Sequence, residues 1–163
     1  MNEEIKQQLI AKFGDLVYGF EEPYGMLTFE TKTDNNLKVL TYLHDDLGFK
    51  YLNDLTAVHY PDSKDRELAV VYMVQDITKG LRIRIKVFAP ISKPDVFTAS
   101  GLYATANWLE REAYDFYGVN FVGNPNLIRI MNVDDMDYHP LRKEYALEDQ
   151  TRIDKDDQMF GRG

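Results

Sequence analysis

The sequence predicts a two-layer α+β domain, with a mainly antiparallel sheet, helices on one face and an extended irregular C-terminal segment. Three observations lead there. The chain has 163 residues, 44% of them hydrophobic and 13% aromatic, enough for one domain with a real core. Three strand-like runs follow one another between positions 51 and 87, separated only by short turn clusters, which is the pattern of antiparallel hairpins. Stretches of helical period stand before and after them.

From the N-terminus, Asn2 is placed to cap a first helix with Glu3 and Glu4 in its first turn, Ile5, Leu9 and Phe13 on one face and Gly14 as its end. Met26 to Thr31 alternates with period 2 and reads as a strand. Asp34 or Asn35 then opens a second helix whose Leu37, Leu40, Leu43 and Leu47 recur at helical spacing before Gly48. Tyr51 to Tyr60 is rich in strand formers, Pro61 to Asp65 is a turn, and Glu67 to Ile77 is the next strand. After a turn at Thr78-Lys79-Gly80, the run from Leu81 to Val87 alternates without a break, with Leu81, Ile83, Ile85 and Val87 on the core face. Arg82, Arg84 and Lys86 share the opposite face, read first as solvated and second as a stripe facing a partner. Pro90 and Pro94 end the sheet region. Residues 96–118 read as an approach turn and a helix with Leu102, Ala106, Leu109, Ala113 and Phe116 on one stripe, docking on the sheet.

This organisation divides the chain into an α+β domain (1–118), an irregular segment (119–145) and a charged tail (146–163) expected to be extended or disordered when alone. No run approaches the ~20 apolar residues of a membrane-spanning helix, and the first residues lack a basic-then-apolar leader, so direct membrane insertion is not expected. Cysteine is absent, which removes disulfides and thiolate ligation of zinc or iron–sulfur clusters by this chain. A formal net charge of −8 makes nucleic acid and anionic lipid poor partners.

Most of what is unusual lies between Glu110 and Tyr145. Glu112 and Asp115, three apart on a helix, are conceivable as a carboxylate pair for acid/base or metal chemistry, but no histidine lies within helical reach. Helix-surface charges pairing with arginines is the favoured reading. His44, His59 and His139 are far apart and form no HExxH spacing, and neither GxGxxG nor GxxxxGK occurs. Ser63, Ser92 and Ser100 lie in no nucleophile elbow. No catalytic, cofactor-binding or metal site is expected. What remains is a long loop of Gly, Pro, Asn and aromatics bearing Arg129, Arg142 and Lys143, either partner-bound or packed on its own domain.

This loop carries a resemblance. Glu110-Arg111-Glu112-Ala113-Tyr114-Asp115-Phe116-Tyr117-Gly118, then Phe121-Val122-Gly123-Asn124-Pro125-Asn126-Leu127-Ile128-Arg129-Ile130, then His139-Pro140-Leu141-Arg142-Lys143 resemble the signature of the C-subunit family of respiratory complex I. The family pattern has Glu-Arg-Glu, an aromatic, Asp and Gly, then Phe-x-Gly-His-Pro-x-Leu-Arg-Arg-Ile and a later His-Pro-Leu-Arg-Lys. This chain departs at Asn124, Ile128, Met136 and Tyr138.

The resemblance implies a non-catalytic peripheral-arm component of proton-translocating NADH:quinone oxidoreductase, seated against the D subunit that forms the quinone site. FMN, iron–sulfur clusters and quinone would belong to sister chains. It further implies a place on the cytoplasmic side of a prokaryotic plasma membrane, held there through the complex. Glu110, Arg111, Glu112, Asp115, Gly118, Phe121, Gly123, Pro125, Leu127, Arg129, Ile130, His139, Pro140, Leu141, Arg142 and Lys143 are the residues it marks for the partner interface. Arg111, Glu112, Asp115, Arg129, Arg142 and Lys143 are expected to make desolvated charge pairs with partner chains. The rival readings are a free-standing enzyme using Glu112 and Asp115, and the equivalent component of a membrane-bound hydrogenase.

Overall fold

The computed structural model describes residues 1–145; the expectation for the tail lies outside the described residues. Helices α1 (Asn2–Phe13), α2 (Asn36–Asp45) and α3 (Ala106–Tyr117) accompany strands β1 (Val17–Glu21), β2 (Leu27–Lys32), β3 (Tyr51–His59), β4 (Leu68–Asp76) and β5 (Leu81–Ala89). The sheet runs β1-β2-β5-β4-β3. Every pairing is antiparallel except β2 with β5, which is parallel, so the sheet is mixed.

The alternation read from β5 sets the whole core. Ile83, Ile85 and Val87 stand in register with Leu27, Phe29 and Thr31 on one side and with Val74, Tyr72 and Val70 on the other. Leu52, Leu55 and Ala57 continue the row on β3. All of these are buried, and Leu9, Val39, Leu40, Leu43 and Ala106 of the three helices complete the same cluster. Each such large side chain removed from water contributes about 1.5–3 kcal/mol. Arg82, Arg84 and Lys86 face the other way, where Lys86 meets Glu21 at 2.7 Å and Arg82 donates to Gln75 at 3.2 Å.

Several details differ from the sequence reading. Met1, not Asn2, precedes the first helical residue, and the Asn2 side chain donates instead to the Gly25 carbonyl at 3.1 Å. The short strand β1 was not expected: Gly19 (φ +63°) and a register shift between Tyr18 and Glu21 break its alternation. α2 ends at Asp45, ahead of Leu47, because Leu47 and Phe49 turn back to bond Tyr42 and Leu43. A second, two-stranded parallel sheet joins β6 (Asp95–Phe97) to β7 (Asn120–Val122), and α3 is the crossover between them. This places α3 beside β3, and β7 beside β6.

Candidate functional site

α3 forms from its apolar stripe and stops at Gly118, whose φ of +76° is the left-handed conformation that glycine adopts without strain. The Gly118 amide bonds the Tyr114 carbonyl at 2.8 Å. The next three carbonyls have no partner within the helix, as at any helix C-terminus. Residues 129–142 supply the donors. Arg129 and His139 Nδ1 donate to the Asp115 carbonyl, each at 3.0 Å, the Leu141 amide to Phe116 at 3.1 Å, and Arg142 Nε to Tyr117 at 2.8 Å. Two guanidinium groups thus sit at the negative end of the helix dipole. His139 is held below its ordinary pKa by burial and by the nearby Arg142 and Arg129 charges. A Cβ on Gly118 would overlap both the Arg142 guanidinium and the His139 ring, so glycine is needed for space as well as for φ.

The Asp115 side chain organises the other end of the segment. Its Oδ2 accepts three consecutive amides, Ile130 at 3.1 Å, Met131 at 2.8 Å and Asn132 at 2.9 Å. Its Oδ1 accepts Arg129 Nη1 at 2.6 Å and Asn132 Nδ2 at 3.0 Å. Burial alone would raise its pKa; the Asn132 and Met131 amides, the Asn132 side chain and Arg129 outweigh it and hold the carboxyl well below the usual range. Arg129 completes the knot by donating Nη2 to the Met136 and Tyr138 carbonyls at 2.6 and 2.9 Å. Arg111, one helical turn before Asp115, donates to the Ile128 and Arg129 carbonyls at 3.1 and 2.9 Å. Further on, the Lys143 amide donates to His59 Nδ1 at 2.9 Å, tying the segment to β3.

Glu110 makes a second, smaller knot. It is fully buried and accepts the Ala99 amide at 2.7 Å, the Thr98 hydroxyl at 2.6 Å and the Asn124 side-chain amide at 2.7 Å. It thereby joins α3 to the residues following β6 and β7. Burial pushes its pKa up against the pull of those donors. The nearby Tyr72 phenol is also pushed up, by burial and then by the Glu110 charge, and it accepts a hydrogen bond from Asn36 at 3.3 Å.

The structure therefore brings most of the signature together, but it turns the charges inward. Glu112 is exposed while Asp115 is fully buried and already engaged by five donors, so the two do not form a carboxylate pair. Arg111, Asp115 and Arg129 are engaged within the chain, Arg111 by the Ile128 and Arg129 carbonyls and Arg129 by Asp115, because a loop without a strand ladder must find its backbone partners somewhere. Phe121 is buried in the core, Leu127 packs against it, and Gly123 turns at φ +90°. Ile130 and Pro140 are half-buried, while Pro125, Leu141 and Lys143 are exposed. His44 lies beside Asp45 at 2.7 Å, apart from the signature segment. Among the described residues, no group of three or more His, Cys, Asp or Glu is spaced to hold a metal ion, and no helix is long and apolar enough to cross a membrane.

Sequence reasoning did not find the role of Glu110 as a buried acceptor, nor those of Thr98 and Asn132 as donors. The departure at Asn124 acquires a reason, since its amide is one of the Glu110 donors.

Known proteins are similar to this chain in sequence and in fold. The family model described as the respiratory-chain NADH dehydrogenase 30 kDa subunit matches residues 29–151. The C subunit of NADH-quinone oxidoreductase from Citrifermentans bemidjiense is 40% identical over 147 residues, covering 89% of each chain. The protein of the same name from Phenylobacterium zucineum is 36% identical over 96% of this chain and 74% of its own length. Some relatives are longer: the match to the Mycobacteroides abscessus protein of that name covers 64% of its length. Among solved structures, a trypsin-resistant fragment of Nqo5 superimposes with a TM-score of 0.68 at 28% identity, covering 78% of this chain and all of the fragment. A chain of the membrane-bound sulfane sulfur reductase, an archaeal respiratory membrane complex, superimposes with a TM-score of 0.72 at 25% identity over 89% of this chain and 85% of its own. With the match running from β2 through the whole signature segment, the chain belongs to the family of the respiratory-chain NADH dehydrogenase 30 kDa subunit.

Proposed function

We propose that this chain is the C subunit of a NADH:quinone oxidoreductase, a peripheral-arm component that holds its neighbours in place and does no chemistry of its own. The observation that carries this reading is the family match across residues 29–151, supported by relatives that bear the name of that subunit over most of the chain. Electron transfer from NADH through FMN and iron–sulfur clusters to quinone, coupled to proton translocation, is then the work of the assembled complex. The absence of cysteine from the sequence fits a chain whose neighbours ligate the clusters. The neighbour we assign is the quinone-site D subunit, with the arm on the cytoplasmic side of the plasma membrane.

The segment from Leu127 to Lys143 is suited to such a role. It has no strand ladder, yet Asp115, Arg129, Arg111 and Arg142 fix its backbone on α3, so its outward surface is rigid before a partner arrives. The test is to tag the chain in its host, solubilise membranes in mild detergent and identify what co-purifies. Recovery of NADH-oxidising activity together with cluster-bearing and quinone-site subunits is expected. A chain recovered alone would contradict the proposal.

A further inference from the structure

The signature charges Glu110, Arg111 and Asp115 are buried and Arg129 is bonded to Asp115 and to backbone carbonyls, so much of the surface left for a partner is made of apolar residues on α3 and along the segment. Trp108 is 56% exposed, Ile128 52%, Met131 71% and Val133 63%. These large apolar side chains hang on a backbone pinned from within, so the segment has no collapse available that would bury them. Trp108 and Ile128 are linked through Arg111, and Met131 and Val133 follow Ile128 within five residues of chain. Trp108 shares a stripe of α3 with Arg111 and Asp115, the Arg111 guanidinium lies 5.2 Å from the Trp108 ring centre, and the same guanidinium holds the Ile128 carbonyl. Met131 follows on the amides bound by Asp115.

The exposed charge along residues 127–145 is mostly acidic, with Lys143 as the exposed base among the described residues. Arg129 and Arg142 are engaged by carbonyls and by Asp115, whereas Glu112, Asp134, Asp135 and Asp137 are exposed. The outward face of the segment is therefore apolar with an acidic border. A second copy of this chain would set acid against acid, and an anionic lipid surface would be repelled.

We propose that Trp108, Ile128, Met131 and Val133 form a docking face for a neighbouring subunit whose own contact surface is apolar and bordered by Lys or Arg. The proposal rests on the subunit reading above and assigns the contact chiefly to residues outside the signature's charged positions. On this account the signature charges build the platform and the apolar residues between them make the contact.

The test places a photo-crosslinking amino acid at Met131 in the tagged full-length chain, with a control at Tyr24, fully exposed on the turn between β1 and β2. The expected result is an adduct from position 131 to one partner subunit, at a peptide flanked by Lys or Arg, and a different adduct or none from position 24. Independently, Met131→Ser with Val133→Ser should lower partner recovery roughly tenfold or more, as for the loss of a buried interface anchor. Asp134→Lys with Asp135→Lys should lower it as well, most at low salt. All four positions are exposed, and circular dichroism of the free variants should match that of the parent chain. A parent chain that brings down the oxidoreductase but gives no adduct at 131, an adduct there to its own residues after 145, or full recovery with the double serine variant would overturn the docking face and leave the subunit reading standing. A parent chain recovered without oxidoreductase subunits would overturn both.

Discussion

The sheet and the segment after α3 are ordered by opposite means. In the sheet, order comes from many buried contributions of the same kind: rows of aliphatic and aromatic side chains in register over four strands. In the segment, order comes from a few charged groups, with Asp115 alone accepting five hydrogen bonds. The difference teaches where each half is vulnerable. Loss of one sheet residue should weaken the whole domain and distort nothing locally; loss of one segment residue should release a stretch of backbone and leave the sheet standing.

The largest expected effect breaks the comparison from the sheet side. Phe29, fully buried on β2 and stacked on Phe20, replaced by Ala should cost about 3–5 kcal/mol in urea unfolding. Proteolysis of the native state should not become selective for residues 127–142. Asp115→Asn comes next, at about 3 kcal/mol, since it leaves Arg129 buried without its counter-charge and one amide donor facing another. Here limited proteolysis should cut first within 127–142, while the far-ultraviolet circular dichroism of the sheet persists. Gly118→Ala should cost about 2 kcal/mol, from the left-handed φ and from displacement of Arg142 and His139, and should also open the segment.

The smallest expected effect sharpens the comparison within one helix. Glu110→Gln should cost about 1 kcal/mol, because a neutral amide replaces a carboxylate whose burial already opposes its charge. The two carboxyls should also respond to acid with opposite sign. The folded pKa of Asp115 is depressed, so its contribution is present above the unfolded value of about 3.9 and lost as pH falls toward the folded one. The folded pKa of Glu110 is raised, so its contribution is full below about 4.3 and lost as pH rises through the folded value. Urea unfolding from pH 6 to 2 should show the parent's advantage over Asp115→Asn shrinking with acid. Its margin against Glu110→Gln should move in its favour.

The two regions also differed in how far they could be read. Strands β3, β4 and β5 and helix α3 were legible because periodic burial writes itself into adjacent residues: Leu81, Ile83, Ile85 and Val87 need no partner to be recognised as one face. The parallel pairing of β2 with β5 was not legible, since the two strands are joined only through α2, β3, β4 and their turns, and local period says nothing of which strands meet. Strands β6 and β7, three residues each, are too short to show a period. The family signature was visible, but its direction was not. Asp115 looked like a surface charge because helical spacing sets it beside the exposed Glu112. Its acceptor role depends on three amides 15–17 residues downstream, a non-local relation. A usable signal was present in the loop itself: some 20 residues without a ladder must find acceptors, and a carboxylate one turn from the end of the preceding helix is well placed to be one.

If the signature residues build the segment's shape within this chain, that shape must exist before any partner is present. Hydrogen exchange at the Ile130, Met131 and Asn132 amides in the free full-length chain tests this most directly, with Asp115→Asn as the comparison. The account predicts protection of all three amides in the parent chain and its loss in the variant, with β4 and β5 protected in both. Exchange of these amides at the unprotected rate in the free parent chain would contradict it, and would mean that the segment takes its shape only from its neighbours.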